Sequence, residues 1–259
     1  YCERNPGGFY SYNHYCRMYR EWLKTTSPSM RQVHKAGEKL FVDYCGPTVG
    51  VTDPETGEIR TAQVIVAVLG ASSYTWAEAT WSQQLEDWVM SHVRCFQWLG
   101  GVPELVVPDN LKSATSRACK YDPDVNPTYQ QMLEHYNVAV LPARPRKPKD
   151  KAKAEVGVQV VERWIMARIR HEIFYSLASL NQRIRELLER LNNKIMQKLG
   201  YSRAELFIQL DKPALKPLPE ASYSYTLVKK VRVHADYHVE IDKHYYSVPC
   251  SLLGQQLEA

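Results

Sequence analysis

The chain has 259 residues, 44% of them hydrophobic and 24% charged, with a formal net charge of +5. That size and balance exclude a disordered tail and leave room for one large globular domain with smaller attachments. Six cysteines with no Cys-x-x-Cys pair count against a zinc module or a disulfide framework, and no apolar run approaches the ~18 residues of a membrane span. The simplest setting is therefore a reducing cytosol. A first residue other than Met reads as a piece of a longer protein.

Residues 1–36 are aromatic and polar; 15–24 predict one short amphipathic helix, and a linker follows, so a domain boundary falls near residue 36. Residues 39–43 are β-prone. Residues 49–52 and 58–69 flank Asp53-Pro54-Glu55-Thr56-Gly57, a hairpin connection, and 62–69 are almost continuously apolar, as in a strand buried on both faces. A third strand is predicted at 74–80. Trp88, Val89, His92, Cys95, Phe96 and Leu99 then recur at helical spacing until Gly100-Gly101 ends the helix. A fourth strand at 104–107 leads into Pro108-Asp109-Asn110, followed by a helix at 128–136 and a fifth strand at 138–141.

Next come a proline-punctuated basic run, 143–153, and a helix predicted over 151–171. On that helix Val156, Val160, Trp164 and Ala167 read as the apolar stripe, with Glu155, Gln159 and Glu162 beside it. The order β-β-β-α-β-α-β-α predicts an α/β core over 37–175: a ribonuclease-H-like mixed sheet with flanking helices. A helical extension is expected over 176–212. There Ser179 and Gln182 have capping-box spacing, Leu180, Ile184, Leu187, Leu191, Ile195 and Leu199 repeat, and Ser202 with Glu205 offers a second box. Residues 213–221 are proline-rich and read as a linker. Alternation at 222–233, 237–241 and 245–248 predicts a small C-terminal β-barrel over 222–259, cut short by the end of the chain.

Two features carry chemistry. Arg144, Arg146, Lys147, Lys149, Lys151 and Lys153 face only Asp150 as a counter-charge, so this run should attract a polyanion, with double-stranded DNA phosphates as the candidate ligand. Asp43, Asp109 and Glu155 end the first strand, follow the fourth, and open the helix after the fifth. Carboxylates suit Mg²⁺ or Mn²⁺, and two such ions about 4 Å apart can drive in-line displacement at a phosphodiester without any protein nucleophile. Taken singly, Asp43 is an ordinary strand-end acid, Asp109 a turn former, and Glu155 a residue favoured by the helix dipole. Their joint placement beside a basic run points to a metal site. Asn110 and Lys112 are candidates to orient a phosphate beside Asp109. Asp53, Glu58, Asp122 and Asp124 are weaker rivals in turns, and His234, His238 and His244 near Asp236 and Asp242 fit strand-and-turn chemistry better than a metal site.

Several motifs together resemble one family. They are Met30-Arg31-Gln32-Val33-His34 leading to Gly37-Glu38-Lys39, Phe41-Val42-Asp43-Tyr44-Cys45-Gly46, Pro108-Asp109-Asn110-Leu111-Lys112-Ser113-Ala114, and the run from Pro145 to Glu155. His238-Val239-Glu240-Ile241-Asp242 and Tyr245-Tyr246-Ser247-Val248-Pro249 complete the set. The chain resembles the catalytic region of IstA-like insertion-sequence transposases, within the DDE transposase and retroviral integrase superfamily. Cys45 stands where that family commonly has a small residue, and the expected upstream helix-turn-helix is mostly missing. The resemblance implies an enzyme that cuts the 3′ ends of a mobile element and joins them to target DNA in the bacterial cytosol. It assigns catalysis and metal binding to Asp43, Asp109 and Glu155, with Mg²⁺ or Mn²⁺, two per site. It also implies a homo-oligomer, at least a dimer, and an AAA+ ATPase helper. Two alternatives stand beside it: a non-catalytic DNA-binding and assembly module, and a ribonuclease-H-fold nuclease that cuts without joining.

Overall fold

A computed structural model of the chain describes residues 11–26, 33–108, 115–117, 124–141, 148–226 and 229–259. They divide into two units, Tyr1–Val33 and His34–Ala259. The first contributes helix α1 (Tyr12–Thr26), on which Tyr15, Tyr19 and Trp22 stack in sequence along one side.

The second unit is built on a mixed sheet. Its strands are β1 (Lys39–Tyr44), β2 (Val49–Thr52), β3 (Ile59–Leu69), β4 (Thr75–Thr80), β5 (Leu105–Pro108) and β8 (Ala139–Val140). The order is β2-β3-β1-β5-β8, with β4 also paired to β3. β3 is the spine: its first half pairs with β2 and its second half with both β1 and β4, all antiparallel. β1–β5 and β5–β8 are parallel. Parallel neighbours need a crossover, and the helices α2 (Leu85–Leu99) and α3 (Pro127–His135) come between them in the chain. Short strands β6 (Thr115–Arg117) and β7 (Asp124–Val125) form a separate pair between β5 and α3. This is the mixed α/β sheet expected for the core.

Both faces of the sheet are covered, which explains the unbroken apolar run in β3. Ile65, Ala67 and Leu69 face α2 and α3, whereas Val64, Val66 and Val68 face a second helical layer. That layer consists of α4 (Pro148–Val161), a π-helical turn (Glu162–Met166), α5 (Ala167–Ile169) and α6 (Leu177–Asn193). The expected apolar stripe of α4 is rotated. Val156 is 56% exposed and Ala167 is exposed, while Gly157, Val161 and Ile165 are the buried line. Gly157 explains the shift, because a Cβ there would stand 2.3 Å from Val68 Cγ2: the helix meets the sheet by its backbone.

Two further expectations are corrected. The N-cap of α6 is Ser176, whose hydroxyl accepts from Ser179 N at 3.1 Å, and the helix ends at Asn193, leaving Ile195 and Leu199 exposed. Ser202 and Glu205 do form their capping box, at the start of α7 (Arg203–Leu206). Among the described residues of the segment expected as a strand from residue 222, strand geometry occurs at β9 (Lys230–Arg232). Upstream, Tyr223 is buried against the α2-side core; its backbone N–H donates to the Tyr136 hydroxyl, and its own hydroxyl donates to Gln131. The proline-rich stretch also lies on this core, with Lys216 and Val102 exchanging both backbone hydrogen bonds at 2.8 Å. Beyond it, β9 pairs with β12 (Gln256–Glu258), and β10 (His238–Ile241) pairs with β11 (His244–Ser247), giving two two-stranded sheets among the described residues.

The edge strand β4 is closed by side chains. Asn181 accepts from Ala79 N at 2.7 Å and donates to Ala79 O at 2.9 Å; Asn192 does the same with Thr75, at 3.1 and 2.8 Å. Among the described residues no helix is long and apolar enough to cross a membrane.

The α2-side core contains one titratable knot. His92 Nδ1–H donates to the Trp88 carbonyl at 2.8 Å, so Nε2 is the acceptor for the Tyr129 hydroxyl at 3.2 Å and the ring is neutral. Burial pushes its pKa down to about 4, against the small opposing effect of the Trp88 carbonyl. The unfolded chain, with an ordinary His near 6.5, binds that proton first, so stability is full above about pH 6.5 and is lost as pH falls towards 4. The loss amounts to at most ~3 kcal/mol. Urea midpoints measured across this window should fall with pH in the native sequence and flatten in His92→Gln; an equally steep fall in His92→Gln would exclude this histidine as the cause.

Candidate carboxylate site and nucleic-acid interface

Side chains alternate along β1. Leu40, Val42 and Tyr44 enter the α2-side core, which leaves Phe41, Asp43 and Cys45 on the α4 side. Asp43 is half-buried, and its Oδ1 accepts from the backbone N–H of Tyr44 at 2.8 Å, which fixes the carboxylate against its own strand. Asp43 pairs with Val66 of β3. On the other flank β5 runs parallel, with Phe41 opposite Val107 and Val42 opposite Pro108. Pro108 immediately precedes Asp109 in sequence, so β5 ends level with the residue before Asp43.

α4 packs on β1 and β3 across this same face. Glu155 is half-buried, two positions before the Gly157 contact. Two turns further on, Glu162 directs its Oε1 to within 3.9 Å of where a Cβ at Gly46 would stand, just beyond the end of β1. Helical periodicity puts Glu155 and Glu162 on one side of the helix. Glu162 was visible in the sequence only as a stripe neighbour of Glu155. The signal that marks it as a site residue is its reach to the turn after β1, which depends on the tertiary fold. Cys45 is buried near Glu162 and Asp43, and burial together with their charges pushes its thiol up to about 12.

The remaining candidates divide cleanly. Lys149, Lys151 and Lys153 lie in the first turns of α4, which begins at Pro148, three residues before the expected start. Asp109, Asn110, Lys112, Arg144, Arg146 and Lys147 lie outside the described residues. Asp53 is occupied by its turn, where its Oδ1 accepts from Glu55 N and Thr56 N at 2.8 and 3.1 Å; these bonds hold its pKa below the ordinary range. Glu58 is exposed; Asp122 lies outside the described residues and Asp124 is in β7. His238 is engaged within its hairpin, donating from Nδ1 to the Asp236 carbonyl and facing Ser247 through Nε2 at 3.0 Å.

The donors on the α4 face suit a hard cation. Asp43, Glu155 and Glu162 offer carboxylate oxygen, and the sulfurs of Cys45 and Met166 are buried in the apolar cluster. Among the described residues no group of three ligating side chains is assembled.

A mixed sheet of this order, with an acid on β1 and a second on the helix laid across it, defines a ribonuclease-H-like core. The integrase core domain family matches residues 33–148, and the Mu transposase C-terminal domain matches residues 218–259. The whole chain is 50% identical to half the length of a protein named as a transposase of insertion sequence IS408 in Burkholderia multivorans. It is 48% identical over its full length to half of a protein named as transposase y4uI in Sinorhizobium fredii. The transposase of insertion sequence element IS21 from Pseudomonas aeruginosa is 27% identical over 73% of the chain and 48% of that protein. These matches support an insertion-sequence transposase of the DDE transposase and retroviral integrase superfamily. The chain spans about half the length of the transposases it matches. Among solved structures, a chain of the simian T-cell lymphotropic virus intasome in complex with a PP2A regulatory subunit superposes with a TM-score of 0.53. It covers 85% of this chain and 70% of that one at 13% identity, a likeness of fold.

The Gly157 contact sets where α4 lies on the site face, and this can be measured. Alanine at 157 would gain about 0.5–1 kcal/mol of helix preference, but overpacking against Val68 costs about 1–3 kcal/mol. Gly157→Ala should therefore lower stability by about 1–2 kcal/mol in urea titration. A variant as stable as the native chain would show that α4 does not need the close approach.

Proposed function

We propose that this chain is the catalytic region of a DNA transposase that cuts the 3′ ends of a mobile element and joins them to target DNA. The single observation that carries the reading is the β1–β5 register with α4 laid over it. Continuing the parallel pairing by one residue would bring Asp109 beside Asp43, on the face where α4 carries Glu155. Asp43, Asp109 and Glu155 would then hold divalent Mg²⁺ or Mn²⁺, two per site, with Glu162 at the margin. Bound there, the ions would supply charge stabilisation and activation of the attacking hydroxyl at the scissile phosphate.

The chain's own groups position the reaction. Asp43 is held by the Tyr44 N–H, and α4 is anchored by backbone contact, so the carboxylates would change little in position when DNA arrives. Arg144, Arg146, Lys147, Lys149, Lys151 and Lys153, with Lys112, would carry the duplex by its phosphates, orienting without reading sequence. Asn110 would orient a phosphate beside Asp109. Residues 222–259 would complete a small β-barrel alongside the core, a reading supported by the match to the Mu transposase C-terminal domain. The whole protein would act in the bacterial cytosol as a multimer that brings two element ends together, with an AAA+ ATPase helper.

The test uses the full-length protein with element-end DNA carrying a pre-cut 3′-hydroxyl, a plasmid target, and Mg²⁺ or Mn²⁺, with and without the helper ATPase. Joined product should form and should fall at least about a hundredfold in Glu155→Gln; Glu162→Gln should lower it less. Binding without joining under every condition would replace this reading with a non-catalytic assembly module, and cuts without joints would indicate a nuclease.

A further inference from the structure

We propose that Trp164, Arg168 and Lys194 form a second binding site for the phosphodiester backbone of duplex DNA, built from residues other than the carboxylates and the basic run. The inference rests on the reading of this chain as a DNA-acting protein. It adds a contact surface that neither the motifs nor the carboxylate geometry contains.

The site arises from the widened turn in the helix that follows α4. Val161, Ile165 and Ile169 follow one another at four-residue spacing and all remain buried, which a π-helical turn at Glu162–Met166 permits better than an unbroken α-helix. Trp164 and Arg168, also four apart, are thereby held together on the rim of that buried line. Trp164 packs partly against the α4-side core, so its ring is anchored. The Arg168 guanidinium carbon lies 4.5 Å from the ring centroid. From the opposite element, the Lys194 ammonium at the C-terminal cap of α6 lies 3.7 Å from the same centroid.

Two cations on one indole is an arrangement that needs a reason. Each gains attraction from the ring, and the two like charges are drawn to one indole. Neither Arg168 nor Lys194 takes part in a salt bridge with a described carboxylate. Glu172, four residues after Arg168, is engaged by Arg183 at 3.0 Å, and the same arginine holds Glu186 of α6 at 2.9 Å. The dipole of α6 accounts for a cation near its C-terminus, but not for its seat beside a second cation. Both cationic side chains belong to exposed residues. Phosphodiester oxygens contacting the guanidinium and the ammonium would neutralise both charges, and the planar fork of Arg168 suits phosphate geometry.

The experiment measures binding of the full-length protein to fluorescent duplex across a potassium chloride series. Two phosphate contacts contribute a slope of about 2 in log affinity against log salt. Arg168→Gln/Lys194→Gln should lower the slope by about that amount and weaken binding at low salt by about tenfold or more. An unchanged slope in a variant that melts like the native protein would overturn the proposal. A measurement on the unaltered chain guards against a misfolded variant: acetylation of Lys194, followed by peptide mass spectrometry, should slow when duplex is added, and an unchanged rate would also overturn it. Strand joining reports separately. Glu155→Gln should lose joining and keep the native salt slope, so failure of the catalytic reading and failure of this second site give different results.

Discussion

The contact on which the candidate site depends is between a helix backbone and one valine. At Gly157 α4 comes down on Val68 with no room for a methyl group, and Val68 belongs to the strand that pairs with β1, β2 and β4 alike. The helix is thus referenced to the spine of the sheet by main-chain atoms, whose positions vary far less than those of long side chains. Asp43 is fixed to the same frame by a hydrogen bond one residue away. Two acids on different elements can then hold a constant relation without touching. This is what a site needs when its chemistry consists mainly of presenting charge at fixed points.

The two faces of the sheet divide the work. The α2 side is a dry aromatic core, in which Trp88, His92, Phe96, Tyr129 and Tyr136 meet edge to face and the buried imidazole is satisfied at both nitrogens. Residues 213–223, far along the chain, fold back to cover it. The α4 side shares the apolar residues of β3, but its margins carry Asp43, Glu155, Glu162 and the Trp164 cations. Each face thus has its own apolar core, and the charged candidates lie at the margins of the α4 side.

Much of this was legible in sequence because it follows local rules. Apolar residues on both faces of β3 marked a central strand, three- and four-residue spacing marked α2, and Ser202 with Glu205 marked the start of α7. The errors came where distant contacts overrule local pattern. Val156 reads as core by hydrophobicity, yet Gly157 faces the sheet because only a residue without a side chain allows the approach. Ser179 has the spacing of a capping box, but Ser176 takes the cap, one turn earlier. The alternation from Ser222 promised a strand, but Tyr223 finds its partners in Tyr136 and Gln131 nearly ninety residues away. Of the candidate acids, Asp43 and Glu155 are proposed from motif and order, whereas Glu162 becomes a candidate only once the turn at Gly46 is seen to approach it.

The asparagine pair on α6 bears on how copies of this protein can meet. An exposed edge strand offers alternating N–H and C=O groups to any extended segment, the usual route to continuous intermolecular sheets. Here two carboxamides already imitate the missing neighbour at Thr75 and Ala79, and the strand at the far edge, β8, is only two residues long. A sheet protected in this way is a poor template for ladder extension or runaway fibre growth. Any association between copies would have to use surfaces other than these two sheet edges.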